Sequence, residues 1–250
     1  MALVNWQDHE MQSILGRLFV ALAAASLGIA QTNTSQTSNG RRTVWDGVYT
    51  EAQAERGMKA FGQSCSGCHA LTAEGKAPLV GGPFWRSFAQ KTVGDLLEFV
   101  STYMPNGAPG SLTEPAYQDI VAVMLKSNGF PAGNTELGSN TGADVQIVQK
   151  DGRTELPAGA LARVVGCLAR SGADWLVTSA TPPARAEHEA SAGEDAAMPL
   201  GTRTIALKFV LNRLDAWAGS RVAVSGLLMG EGGVDGINVT TVNRVAQKCP

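Results

Sequence analysis

At 250 residues the chain is long enough for two ordinary domains or one large one. Its 44% hydrophobic and 17% charged residues describe a globular protein and exclude a disordered chain or one integral to a membrane. A net charge of −2 offers no general attraction to nucleic acid or anionic lipid, and 29 glycines against 6% aromatics predict long loops and tight turns.

Residues 18–30, LFVALAAASLGIA, form an apolar run of 13 residues behind Arg17 that ends in small residues before a polar stretch. This is the pattern of a secretory signal peptide, so residues 1–30 are expected to be removed by a cut after Ala30. The run falls short of the ~20 residues that a membrane span needs, so no stable membrane insertion is expected. Asp8 and Glu10 sit oddly ahead of an export signal, and a start at Met11 would leave a better n-region. Export implies a periplasmic or secreted protein whose four cysteines, Cys65, Cys68, Cys167 and Cys249, meet an oxidising compartment.

Residues 31–44 read as a flexible leader, rich in Ser, Thr, Asn and Gln without apolar periodicity. Thr50 then predicts the N-cap of a helix over residues 51–61, with Glu51 and Glu55 early and Lys59 late as the helix dipole prefers. Gly81-Gly82-Pro83 breaks the chain, and Thr92 caps a second helix whose Val93, Leu96, Leu97 and Val100 follow helical spacing. Pro105, Gly107, Pro109 and Gly110 forbid its continuation. A third helix is predicted over residues 114–127, with Tyr117, Ile120, Val121, Met124 and Leu125 on one face and Gly129 beyond its end. Three helices in about 90 residues make a thin core, so something else must fill the middle.

Residues 135–141 read as a linker, and the pattern changes over residues 142–250. The runs VQIVQ, ARVVGCLAR, DWLVTSA, TIALKFV, RVAVSGLLM and INVTTV are short, rich in β-branched residues and separated by turn residues. Residues 180–200 interrupt them as a long polar loop. The expectation is two domains: a mainly α domain over residues 45–134 and a small all-β domain over residues 142–250.

Cys65-Ser66-Gly67-Cys68-His69 carries the strongest chemical signal. Two thiols on one helical turn can add to the two vinyl groups of one porphyrin, and the next residue presents its imidazole to the iron. A zinc site would want four ligands, yet no second C-x-x-C exists and His69 and His188 are the only histidines after the leader. A thioredoxin-like redox pair would want a preceding strand, whereas a helix is predicted there. His188 lies among Glu187, Glu189 and Glu194 and reads as a solvated side chain. Met58 and Met124 stand at core spacing on helices.

On these residues the segment from Trp45 to Gly133 resembles the class I c-type cytochrome family. Gly57 and Phe61 match the family's N-terminal helix, where that glycine permits a close helix crossing; Tyr117 and Val121 are the expected facing residues. The resemblance implies one covalent haem c. Pro78 would be the residue whose carbonyl accepts the Nδ1–H of His69, and Met104 the sixth ligand opposite His69. Met104 also lies in a Pro/Gly-bracketed loop, where a purely apolar methionine would gain little burial. The stretch MPNGAPGSL, residues 104–112, is similar to cytochromes that accompany quinoprotein dehydrogenases. The implied function is outer-sphere electron transfer, not catalysis, with a redox protein such as a quinoprotein dehydrogenase as partner. A haem enzyme of peroxidase or nitrite-reducing type, or a haem-based sensor, would need an open sixth position.

Residues 142–250 resemble small OB-fold-like barrels of exported bacterial proteins, on Gly166-Cys167 and the run from Gly219 to Leu228. Eleven Lys and Arg against twelve Asp and Glu over residues 135–250 argue against nucleic acid as a partner. Cys167 and Cys249 are the cysteines left over in an oxidising place, and a disulfide between them is expected.

Overall fold

The computed structural model describes residues 41–186, 191–211, 213–230 and 236–250. The signal peptide, the Met11 start, most of the leader and His188 lie outside the described residues. Thr43 and Val44, expected to belong to the flexible leader, are buried.

Helix α1 spans Glu51–Ser64, and its Thr50 side chain accepts from the Gln53 amide. It runs three residues past Phe61, the expected end, so the first thiol of the C-x-x-C-H turn sits directly on its C-terminus. Helix α2, Gly82–Phe88, forms where a break was read: Pro83 stands in the first turn, where its missing N–H costs nothing. Helix α3, Val93–Tyr103, opens with a Thr92–Asp95 capping box, and α4 spans Glu114–Ser127 with Pro115 in its first turn.

Helices α1 and α4 cross at Gly57. A Cβ there would overlap the Asp119 carbonyl and crowd Val123. The facing residues are therefore Asp119 and Val123, in place of Tyr117 and Val121. The Arg56 guanidinium closes the crossing on both Asp119 oxygens at 3.0 and 2.9 Å.

The middle of the helical half is filled partly by chain that had been read as linker and β domain. Leu137, Val145 and Ile147 join Leu96, Ile120 and Leu125 in one buried cluster. The Gln53 side chain is fully committed to Leu137, donating to its carbonyl and accepting from its amide, each at 2.8 Å. Backbone bonds from Val93 to Val145 and from Ile147 to Lys91 fasten the segment down. Residues 135–148 are thus a structural strap.

The strands are β1 (Leu161–Ser171), β2 (Asp174–Ala180), β3 (Ala184–Arg185), β4 (Arg203–Lys208), β5 (Arg221–Met229) and β6 (Gly236–Ala246). They form one six-stranded mixed sheet in the order β2-β4-β6-β5-β1-β3, with β1 also paired to β2 and with β4 parallel to β6. Cys167 on β1 and Cys249 beyond β6 stand at disulfide distance, with Cα atoms 5.5 Å apart.

A mainly α cytochrome c fold followed by a separate all-β OB-like barrel is not what this chain forms. The described residues fall in one compact unit, with five α-helices and the mixed sheet among them. Two physical causes stand out. The sheet shares apolar contacts with the helices, where Ala162 and Leu228 cluster with Ala89 and Trp85 packs against them. The segment read as a polar loop also contributes a helix, α5 (Ala192–Ala197), opened by a Ser191–Glu194 capping box. Asp195 of α5 is buried against Arg163 of β1, and Arg221 of β5 donates to the carbonyls of Asp195 and Met198.

Candidate functional site

The turn after α1 is built by backbone bonds. Cys65 and Ser66 amides return to the Phe61 carbonyl, and those of Cys68 and His69 both reach Cys65 at 3.0 and 2.9 Å. This winding carries Cys65, Cys68 and His69 onto one wall of a cleft of about 570 Å³. That volume lies within the range of small-molecule and cofactor sites, roughly 300–1,000 Å³. Met104 lines the same cleft, together with Leu79, Val100, Ile120 and Met124.

The His69 ring is oriented by its Nδ1, 3.0 Å from the Ala77 carbonyl oxygen. A carbonyl only accepts, so Nδ1 is the donor, and in the neutral ring that leaves the Nε2 lone pair for another partner. The acceptor is Ala77 and not Pro78. Ala77 adopts φ +32°, while Pro78 bridges to Ala70 and the following Leu79 amide bonds the Ala70 carbonyl. The proline sits in the strip that presents the carbonyl without supplying it.

Met104 is the C-cap of α3, its amide still bonded to Val100. Tyr117 of α4 secures the loop: its hydroxyl donates to the Met104 carbonyl at 2.8 Å and accepts from the Leu112 amide at 3.3 Å. Of the other methionines, Met124 is buried and lines the cleft, whereas Met58 is exposed and not a packing residue.

Burial pushes the Cys65 thiol up from its ordinary value. A nucleophilic C-x-x-C cysteine needs the opposite, a thiol pulled down by cations or a helix N-terminus; Cys65 sits at a helix C-terminus. Among the described residues no group of three or more His, Cys, Asp or Glu is placed to hold a metal ion. The soft donors lining this cleft, the His69 imidazole, the Met104 and Met124 thioethers and two adjacent thiols, suit a metal whose remaining ligands come with a macrocycle.

Several lining residues carried no sequence signal. Phe88 and Phe99, which no sequence motif marks, meet edge to face 5.9 Å apart beside the cleft. Arg86, Lys91, Leu161 and Arg185 also line it, the last two from the sheet. Neither charge nor periodicity in the sequence distinguishes these positions from solvated ones.

No family model, no curated protein and no solved structure matches this chain. Among the described residues no helix is long and apolar enough to cross a membrane.

Proposed function

We propose that this protein is an exported single-electron carrier holding one haem c, attached through Cys65 and Cys68, with His69 and Met104 as axial ligands. The observation that carries the reading is the convergence of those four side chains on one apolar cleft. Each thiol would add across one vinyl group, sulfur bonding to one carbon and hydrogen to the other, so attachment needs no oxidant and expels no leaving group. Haem, once bound, supplies a one-electron couple at its iron.

The residues around it have distinct tasks. The Ala77 carbonyl holds the His69 proton on Nδ1, which fixes the tautomer and strengthens Nε2 as a donor. Tyr117 keeps the Met104 loop in place. Ile120, Met124 and Leu79 keep water from the centre, which limits reorganisation on electron transfer. With both His69 and Met104 holding the metal, no position would be left for substrate, so the chain would serve a partner, and we propose a periplasmic dehydrogenase of the quinoprotein type. Residues 45–134 hold six Lys and Arg against eight Asp and Glu, so docking rests on apolar contact more than on a basic ring. Phe99 and Tyr103, exposed, with ring centroids 5.2 Å apart and planes tilted by 45°, suit such contact.

Carbon monoxide tests the carrier reading. The reduced intact protein should resist the gas at neutral pH and turn over neither hydrogen peroxide nor nitrite, while Met104→Ala should bind it readily at a lower reduction potential. Ready binding by the intact protein would favour a haem enzyme or sensor.

A further inference from the structure

The loop after β4 turns two large apolar side chains into solvent. Phe209 is 71% exposed and Leu211 95%, while Val210 between them packs against the core of the sheet. Single exposed apolar residues are ordinary, but this pair comes with a backbone cost. Phe209 stands at φ +55°, a left-handed conformation that suits glycine and disfavours an aromatic residue. Strain kept in a surface loop points to a function.

The surroundings say what the loop meets. Lys208 and Arg213 flank it in sequence, and both are exposed. Lys208 Nζ lies 3.9 Å from Asp174 at the start of β2. The neighbouring Trp175 ring carries the Arg170 guanidinium 5.1 Å from its centroid. Arg170 pairs in turn with Asp215, in the short helical turn Asp215–Trp217 that follows the loop. Trp217 of that turn lies under the Arg244 guanidinium at 5.6 Å. The loop and the residues these contacts join to it thus set Lys208, Arg213, Arg170 and Arg244 against Asp174 and Asp215, in a chain whose net charge is −2. Trp175 and Trp217 are partly buried on the core of the sheet, so each has an apolar body and an edge toward water. An apolar tip with basic flanks and amphipathic rings behind it suits an anionic phospholipid surface. Such a surface takes up a protruding side chain without a matching pocket.

We propose that the loop docks the protein peripherally on a membrane bearing anionic headgroups. Phe209 and Leu211 enter the interface, and Lys208 and Arg213 meet the headgroups. The inference stands apart from the haem reading.

The test is sedimentation of the exported protein with vesicles of equal parts phosphatidylglycerol and phosphatidylcholine, and with vesicles of phosphatidylcholine alone. Every variant keeps the native N-terminus, so any contribution from residues 1–30 is common to all. The native protein should bind the anionic vesicles about tenfold more tightly than the neutral ones and should leave them as salt is raised. Leu211→Ser should weaken that binding by about tenfold. Phe209→Gly should do the same while the melting temperature holds or rises, because glycine relaxes the backbone there. Lys208→Gln combined with Arg213→Gln should bind both kinds of vesicle alike. Native protein that binds neither vesicle, or both equally, would overturn the proposal, as would native binding in Leu211→Ser or Phe209→Gly. Self-association of the native protein without vesicle binding, abolished by Leu211→Ser, would overturn it in favour of a second copy of the chain.

Discussion

Gly57 and Tyr49 show how much one side chain, or the lack of one, can determine. At Gly57 the backbones of α1 and α4 meet, and there is no room for a methyl group. Gly57→Ala should destabilise the protein by about 1–3 kcal/mol, measured by denaturant unfolding, although alanine is the better helix former. Tyr49 is fully buried, and its hydroxyl donates to the Phe130 carbonyl at 2.6 Å. Burial pushes its phenol from the ordinary 10.0 up to about 12. The folded state therefore holds this proton more tightly than the unfolded state. Its stabilising contribution is complete below pH 10 and is lost as pH rises toward 12. Tyr49→Phe should cost about 1 kcal/mol at neutral pH and flatten the alkaline fall in stability between those values; an unaltered alkaline limb would contradict this.

Among the elements, those with strong local signals were legible and those made by tertiary contact were not. Thr92 and Thr50 cap the helices predicted behind them; the five residues predicted for the apolar face of α4 are buried, but so are Asp119, Ala122 and Val123, because α4 is enclosed on more than that face. The end of α1 was missed because Gly62 and Ser64 are weak helix formers, and the turn that follows is held by backbone bonds to Phe61. The strap over residues 135–148 looks like a loop by composition; what orders it is the distant Gln53 side chain. Helix α5 did leave a trace, the Ser191-x-x-Glu194 pair, but it is six residues long and depends on the buried Arg163–Asp195 pair. Removing one partner leaves a buried charge, so Asp195→Asn should cost about 3–5 kcal/mol in equilibrium unfolding. In the site, the C-x-x-C-H turn and Met104 were visible as motifs. The carbonyl for His69 was placed one residue late, because nothing in Lys76-Ala77-Pro78 marks the φ of Ala77. The Met104 loop should depend on Tyr117: Tyr117→Phe should change stability by only about 1 kcal/mol yet raise the rate of carbon monoxide binding to the reduced protein.

At the scale of the whole molecule, the shared contacts of Trp85, Ala89, Ala162 and Leu228 make the helices and sheet one unit. Calorimetry should accordingly show one main unfolding transition, with two well-separated transitions arguing for independent halves. Cys167 and Cys249 close a span of 82 residues, and replacing both should lower the stability of that transition by about 4 kcal/mol. The central claim, covalent haem at Cys65 and Cys68, is tested most directly by mass analysis. The full chain, exported by a host that attaches haem to cytochromes, should be extracted with acid acetone, digested and its peptides weighed. The account predicts one haem per chain, retained through extraction, on the peptide holding both cysteines. Haem lost to the solvent, or a Cys65–Cys68 peptide of unmodified or disulfide mass, would contradict it.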